Sequence, residues 1–290
     1  MKFISLDIET TGLSPCEDQV LEVGAIAVDT KTPPHTWPTF HVIINHKRIQ
    51  GDVFAINLNS RIFEILKEYQ NKKDKKSKDD IKIVGPEEFL SSFLQFVENA
   101  GYEKKNGHYT VTLAGKNVLN FDVPFLQEHM NKFNDTNFGR IADVDNGDPI
   151  RFRKRCIDPA ILYTNFLTDE NLPALSDCKK RAFLPEVVTH NALEDAWDVV
   201  YLILAKIGFD FTQLITDKEL TDILIMIDKF DSPFIVWCTK NGYMIRKSKG
   251  IPTDNNIFNR YSIGAAHTGL FEPIWSMQEV YKYVKVEHVA

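Results

Sequence analysis

Two carboxylates at the end of a short apolar segment, Asp7 and Glu9, are the first residues in the chain that could do chemistry. Residues 2–8 predict a β-strand, and side chains two residues apart on a strand lie on the same face. Two adjacent carboxylates repel each other unless a cation lies between them, and oxygen ligands suit magnesium or manganese better than zinc. Because an Asp-x-Glu pair is common, two solvated acids at a strand end remain the alternative for this pair taken alone.

A third acid, Asp122, lies where residues 113–126 predict a strand, a short turn and then a helix. An acid at the first position of a helix is stabilised by the free backbone N–H groups and by the helix dipole. Helix capping is therefore one reading of Asp122, and a contribution to a carboxylate cluster is the other.

A histidine and a fourth acid, His190 and Asp195, flank the start of a predicted helix over residues 191–207, for which Asn191 is a suitable cap. This spacing allows both side chains to face one cleft. A histidine ionises near neutral pH, so beside several carboxylates it is a candidate general base, although a lone histidine here would more often lie on the surface.

The elements that must position these residues follow from hydrophobic periodicity. The first three strands have short connections, which predicts an antiparallel meander. The predicted strands are 2–8, 20–28, 39–44, 109–114 and 151–158, and the predicted helices are 55–69, 86–97, 122–133, 159–166, 173–183, 191–207 and 217–229. The Asn241-Gly242 dipeptide predicts a hairpin between residues 234–238 and 243–245, and the tail from Gly250 is expected to be loop-like.

Composition places the chain among folded proteins, since 43% of its residues are hydrophobic and 26% are charged. A net charge of -6 argues against coating of nucleic acid by bulk charge but is compatible with a cluster of catalytic acids.

The four scattered cysteines contain no C-x-x-C pair, which indicates reduced thiols rather than a zinc site. With no signal peptide and no membrane-length apolar run, we expect a cytoplasmic protein with no membrane contact.

The three segments resemble, in order, the motifs of the DEDDh 3′-5′ exonucleases, the superfamily of proofreading subunits, RNase T and oligoribonuclease. The segments are D-I-E-T-T-G-L from Asp7, A-G-K-N-x-x-x-F-D-x-P-F-L from Ala114, and H-N-A-x-x-D-A from His190. The resemblance extends over residues 1 to about 207. It implies an α/β, RNase H-like fold with a mixed five-stranded sheet flanked by helices, so we predict an exonuclease domain at 1–208 and a small α+β accessory module at 209–290.

The resemblance also implies a mechanism and a site. Two Mg²⁺ or Mn²⁺ ions would be held by Asp7, Glu9, Asp122 and Asp195, with His190 deprotonating the attacking water. The reaction would release nucleoside 5′-monophosphates from the 3′ end of single-stranded DNA or RNA. The residues that resemble the family's substrate-binding positions are Thr10, Thr11, Gly12, Leu13, Asn57, Leu58, Asn117 and Phe121. For Leu58 and Phe121, ordinary core packing is an equal alternative.

Three features leave room for other interpretations. Lys116 stands where many relatives have histidine, and the lysine-rich segment 71–80 is predicted to be a solvated loop, with phosphate contact as the alternative. Asp158, before Pro159, is expected to cap a helix.

The competing functions are a catalytically idle nucleic-acid-binding subunit and a hydrolase of di- or trinucleotides. Some relatives are dimers, so a homodimer is a further hypothesis.

Overall fold

A mixed five-stranded sheet forms the centre of the fold. The computed structural model describes residues 1–32, 36–71, 81–134, 149–182, 184 and 188–207, together with the backbone of 235–238, 243–247 and 261–265. The strands of this sheet are β1 (Lys2–Thr10), β2 (Val20–Asp29), β3 (Thr39–Ile44), β4 (Lys82–Val84) and β6 (Leu113–Ala114), whereas β5 (Tyr109–Val111) belongs to a second sheet. The order in the five-stranded sheet is β4-β3-β2-β1-β6, in which β2 and β3 are antiparallel whereas β3–β4 and β1–β6 are parallel.

Helices flank this sheet, and the predicted α/β class with a mixed five-stranded sheet is confirmed. The two helices that begin at the candidate site, over residues 122–134 and 192–207, agree with the ranges predicted from the sequence to within one residue at each end. The helices are α1 (Val53–Leu58), α2 (Ser60–Asn71), α3 (Phe89–Asn99, after a 3-10 turn at Pro86–Glu88), α4 (Asp122–Asn134), α5 (Pro159–Tyr163), α6 (Leu175–Arg181) and α7 (Ala192–Ile207). Among the described residues no helix is long and apolar enough to cross a membrane.

The main core lies on the face of the sheet that α3 and α4 cover. Phe40 of β3 meets Phe93 of α3 edge to face at a ring-centroid distance of 5.4 Å, a favoured arrangement for aromatic pairs. A smaller cluster joins Leu21 and Ile43 to Ile62 and Leu66 of α2. Alternate positions of the strands thus feed two separate apolar clusters, which is why β2 is buried along nearly its whole length.

Two elements differ from the sequence prediction because tertiary contacts override periodicity. The single helix expected over 55–69 is wrong, since the chain leaves α1 at Asn59 and restarts at Ser60. The buried Asn59 side chain donates a hydrogen bond to the carbonyl of Thr10 over 3.0 Å. The single strand expected over 109–114 is also wrong, because β5 (Tyr109–Val111) pairs with β7 (Ile150–Phe152) in a separate two-stranded sheet.

The strand expected over 151–158 is shorter than predicted, and beyond Phe152 only Ile157 returns to the sheet through an isolated bridge to Ala114. The predicted hairpin strands are present as β8 (Ile235–Cys238) and β9 (Tyr243–Lys247), which are antiparallel. The expectation of a loop-like tail is wrong for β10 (Tyr261–Ala265), which pairs with β9.

The chain forms two compact units. The first comprises residues 1–28, 37–158 and 189–199, and the second comprises 29–36, 159–188 and 200–290. Within the second, α5 and α6 share a small cluster that includes Ala160, Cys178 and Leu202. The division of the sequence at residue 208 stays a prediction. The helix expected at 217–229, the Asn241-Gly242 turn and nearly all of the lysine-rich segment lie outside the described residues.

Candidate active site

The candidate site begins on β1, which lies between β2 and β6 in the sheet. Asp7 and Glu9 occupy alternate positions of this strand, so their side chains leave the same face, with Glu9 buried and Asp7 half-buried. The strand is buried because its neighbours cover both edges and the core covers the opposite face. Two acids are thereby held side by side on a rigid element.

Asp122 reaches β1 from the start of α4. Its carboxylate accepts a hydrogen bond from the backbone N–H of Ile8, the residue between the two strand acids. The turn before α4 passes close to β1, since a Cβ added at Gly115 would lie 2.7 Å from the carbonyl oxygen of Leu6. Asn117 adopts a left-handed conformation with φ 57° in the same turn, which asparagine tolerates better than most residues. Asp122 is therefore both the first residue of a helix and a neighbour of Asp7 and Glu9.

The third contribution comes from the start of α7. Asn191 caps the helix as predicted, because its side-chain oxygen accepts from the N–H groups of Leu193 and Glu194 at 3.1 and 3.3 Å. His190 precedes the cap in a left-handed conformation with φ 50° and is exposed, whereas Asp195 is buried. Donor atoms of Glu9, His190 and Asp195 all lie within 4.8 Å of one another. The five residues singled out in the sequence therefore converge.

The electrostatics of the cluster are those of crowded, desolvated acids. Burial raises the pKa of Glu9 to about 7, and the negative charges of Glu22 and Asp195 add to the effect. Burial likewise raises the pKa of Asp122 to about 8, against the hydrogen bonds it accepts from backbone N–H groups. Asp7 has its pKa raised well above the ordinary value by burial and then by the charges of Asp122, Asp195 and Glu9.

These shifts provide a test of whether the residues fit divalent cations. Carboxylates that resist ionisation because they are buried, and buried beside one another, become favourable ligands once a cation supplies the opposing charge. Four carboxylates and one imidazole match the oxygen-rich ligand sets of magnesium and manganese. Asp7, Glu9, Asp122 and Asp195 could hold such ions, and among the described residues the group Glu9, His190 and Asp195 has the spacing of metal ligands.

The loop after β1 is held in place by a set of short hydrogen bonds. The Thr10 hydroxyl donates to the carbonyl of Gly12 over 2.6 Å, and the Thr11 hydroxyl accepts from the N–H of Gln19 at 2.9 Å. Thr10, Thr11 and Gly12 are buried, whereas Leu13 is 84% exposed. The loop thus presents one large apolar side chain to solvent from a fixed backbone.

The remaining predicted substrate positions differ in their surroundings. Asn57 and Leu58 lie at the end of α1, both exposed, and with 44% of its surface accessible Leu58 is not a core residue. Phe121 is partly buried and packs on Phe125 at a centroid distance of 5.0 Å. Asn117 is exposed, and its backbone N–H donates to the carboxylate of Asp158 over 2.9 Å. Asp158 thereby braces the turn that leads to Asp122.

Sequence reasoning missed Glu22, a completely buried acid on β2. Its carboxylate accepts from a guanidinium nitrogen of Arg61 at 2.6 Å and lies 2.8 Å from Nε2 of His41. Burial by itself would raise the pKa of Glu22, but the hydrogen bonds and charges of His41 and Arg61 outweigh it, so the pKa lies below the ordinary value. A charged residue within the apolar segment 20–28 is the sequence signal that could have identified it.

With this geometry established, comparison with known proteins gives one family match. Residues 4–82 match the RNase T family model, whose description is exonuclease. Over residues 4–82 this match agrees with the exonuclease resemblance stated from the first motif. The exonuclease-family segment contains Asp7, Glu9 and the 10–13 loop, whereas Asp122, His190 and Asp195 lie beyond it.

Two solved structures of exonuclease I align with about nine-tenths of the chain at low identity. Escherichia coli exonuclease I in complex with a dT13 oligonucleotide is 15% identical with a TM-score of 0.45, and the match covers 90% of this chain and 51% of that one. Exonuclease I from Methylocaldum szegediense is 13% identical with a TM-score of 0.45, over 91% of this chain and 50% of that one. The chain thus spans about half the length of these two proteins. No curated protein matched the sequence.

Proposed function

We propose that this chain is a metal-dependent 3′-to-5′ exonuclease that removes nucleotides from the 3′ end of single-stranded DNA or RNA. The observation that supports the proposal is the convergence of four carboxylates and an imidazole from β1, α4 and α7. The family match over residues 4–82 gives the same chemical class independently of that geometry.

In the proposed mechanism, two Mg²⁺ or Mn²⁺ ions would neutralise charge on the attacking and leaving oxygens of an in-line displacement at phosphorus. Asp7, Glu9, Asp122 and Asp195 would hold these ions, with Asp7 at the centre of the cluster.

His190 would act as the general base. Its exposed imidazole lies beside Glu9 and Asp195, where it would take a proton from the attacking water at a ring nitrogen. The new P–O bond forms on the water oxygen as the bond to the 3′ oxygen of the preceding nucleotide breaks. The product would be a nucleoside 5′-monophosphate and a strand shortened by one residue.

Exposed apolar side chains support an unpaired strand as the substrate. Leu13 is 84% exposed, and in α1 Phe54 is 76% exposed. Residues that lead into α1 contact the 10–13 loop, because the N–H of Asp52 donates to the carbonyl of Thr11 over 2.7 Å. An aromatic ring such as that of Phe54 stacks on bases without regard to sequence, an aliphatic side chain such as that of Leu13 can pack against a base, and the bases along an unpaired strand are free to make both contacts.

The proposal is tested with 5′-labelled single-stranded DNA and RNA of matched sequence, incubated with Mg²⁺, Mn²⁺ or EDTA. We expect a ladder that shortens from the 3′ end, that is absent with EDTA, and that slows by about 10³-fold in Asp7→Asn, since loss of a metal ligand costs several kcal/mol of transition-state stabilisation. The matched control is Glu98→Gln, which removes an exposed acid at the end of α3 and should leave the rate unchanged.

Two other outcomes would replace the proposal. If neither polymer is cut under any metal but a fluorescent oligonucleotide binds, the chain is a binding subunit. If dinucleotides are hydrolysed and polymers are not, the site serves short substrates, a reading that the net charge of -6 favours over tight binding of long anions.

A further inference from the structure

A fully buried carboxylate on β2, Glu22, joins three elements around the candidate site. Its two oxygens accept from the same guanidinium nitrogen of Arg61 on α2 at 2.8 and 2.6 Å, and one lies 2.8 Å from Nε2 of His41 on β3. A buried charge is tolerated only when it is paired and hydrogen-bonded. The pairing with Arg61 and His41 meets that requirement.

The same carboxylate holds the beginning of α7. The N–H of Ala192, the first residue of that helix, donates to Glu22 over 3.2 Å, and a helix N-terminus favours a negative charge. Two residues along β2, Gly24 allows the helix to approach, because a Cβ there would lie 2.2 Å from the backbone of Ala192 and Leu193. The position of α7 over β2 is therefore fixed at its first turn, between His190 and Asp195.

The other side of the network leads to the β1 loop. Arg61 lies two residues after Asn59, whose side chain donates to the carbonyl of Thr10. The helix pair α1 and α2 also presents the exposed side chains of Phe54 and Leu58. Glu22 thus connects the α1–α2 segment, which presents Phe54 and Leu58 to solvent, with α7, the helix that carries Asp195.

From these contacts we propose that Glu22 is a positioning residue, which holds the N-terminus of α7 and couples it through Arg61 to the α1–α2 segment, so that His190 and Asp195 are set against Glu9. The inference rests on the proposed nuclease function for its kinetic consequence. Its structural consequence, an anchored first turn of α7, is independent of that function.

The test compares Glu22→Gln with the wild-type chain by three readouts. Glutamine keeps the shape and one acceptor oxygen but loses the charge that Arg61 and the helix terminus require. We expect amide hydrogen exchange at Ala192 to accelerate about tenfold or more, which corresponds to loss of one charged hydrogen bond. We expect kcat on a single-stranded oligonucleotide to fall about 10²-fold with little change in KM, since misplacement by about 1 Å has that cost. Binding of Mn²⁺ alone should weaken.

Two further variants make the result interpretable. Val97→Ala removes core volume from α3 without touching the hydrogen bonds that join Glu22 to Arg61, His41 and Ala192, and it reports what simple loss of stability does to kcat. Arg61→Gln acts from a partly exposed position and decides the matter if Glu22→Gln does not fold. For Arg61→Gln we expect the same pattern, with a kcat loss of about tenfold and faster exchange at Ala192.

The inference is overturned if a folded Glu22→Gln or Arg61→Gln chain keeps wild-type exchange at Ala192, or if its kcat falls no more than that of Val97→Ala at equal loss of melting temperature. If the wild-type chain cuts no substrate, the proposed function fails. In that case exchange at Ala192 and Mn²⁺ affinity decide whether Glu22 anchors α7 and shapes the metal-binding group.

Discussion

At the scale of single residues, the site combines groups that would be unremarkable apart. Glu9 is buried on β1, His190 is exposed before α7, and Asp195 is buried one turn into that helix, yet their donor atoms lie within 4.8 Å of one another. Burial, with added repulsion from neighbouring carboxylates, raises the pKa of Glu9 and of Asp122, and a bound cation would relieve that repulsion.

The first prediction concerns the base. His190→Ala should lower kcat by about 10²–10⁴-fold, the usual contribution of a general base. It should also change the pH dependence of the rate. The measurement is the single-turnover rate from pH 5.5 to 9 at saturating Mn²⁺, with Thr189→Ala as the neighbouring control. An unchanged profile would remove His190 from the mechanism.

The second prediction concerns stability without metal. A carboxyl whose folded pKa is raised stabilises the fold below its ordinary pKa, and that contribution is lost as pH rises through the folded value. With Glu9 at about 7 and Asp122 at about 8, the free energy of unfolding in EDTA should fall between pH 6.5 and 8.5. His129, whose pKa burial lowers to about 4, stays neutral in both states over most of this window.

Urea unfolding at several pH values measures this slope. Asp122→Asn should make the free energy of unfolding depend less steeply on pH. The same variant should raise the melting temperature at pH 8.5 by about 2–4 °C or more, where 2–4 °C is the equivalent of 1 kcal/mol in a chain of this size. Added Mg²⁺ should do the same for the wild-type chain by mass action. A stability that rises with pH across the window would contradict the prediction.

At the scale of elements, the site depends on how closely α7 lies against β2. Gly24 permits this approach, since a Cβ would overlap the backbone of Ala192 and Leu193. Gly24→Ala should therefore destabilise the fold by about 1–3 kcal/mol, the usual cost of overpacking, and lower kcat because the start of α7 moves. Gly85→Ala is the matched control, because the nearest atom to its Cβ would be a Glu87 side-chain oxygen at 3.4 Å. Equal urea midpoints for the two variants would show that α7 does not need the contact.

At the scale of the whole molecule, the five candidate residues all belong to the first compact unit, which comprises residues 1–28, 37–158 and 189–199. The apolar clusters that support β1 and α4 lie in the same unit. We therefore expect a chain truncated after residue 208 to fold and to keep its turnover. Circular dichroism and the oligonucleotide assay measure this. If truncation abolishes folding, the segment 209–290 is part of the same cooperative structure, and the division predicted at residue 208 is wrong.

Local pattern alone determined much of the fold. Apolar runs placed β1, β2 and β3, and helical periodicity with a capping asparagine placed α7, because these elements are long and their local preferences agree with their burial. The three sequence motifs identified the five candidate residues of the site. Their alternation on β1 and their positions at helix starts follow from the geometry of strands and helices.

The tertiary structure decided what depends on partners distant in sequence. The break at Asn59 depends on a hydrogen bond to the carbonyl of Thr10, and the division of residues 109–114 between two sheets depends on pairing with β7 and β1. These partners are distant in sequence, so a local hydrophobic pattern contains no information about them. The pairing of Glu22 with Arg61 and with the first turn of α7 joins residues up to 170 positions apart. The spacing of residues in the sequence determines which face of a strand or helix a side chain lies on. Which of those faces contact each other is determined by how the strands and helices pack.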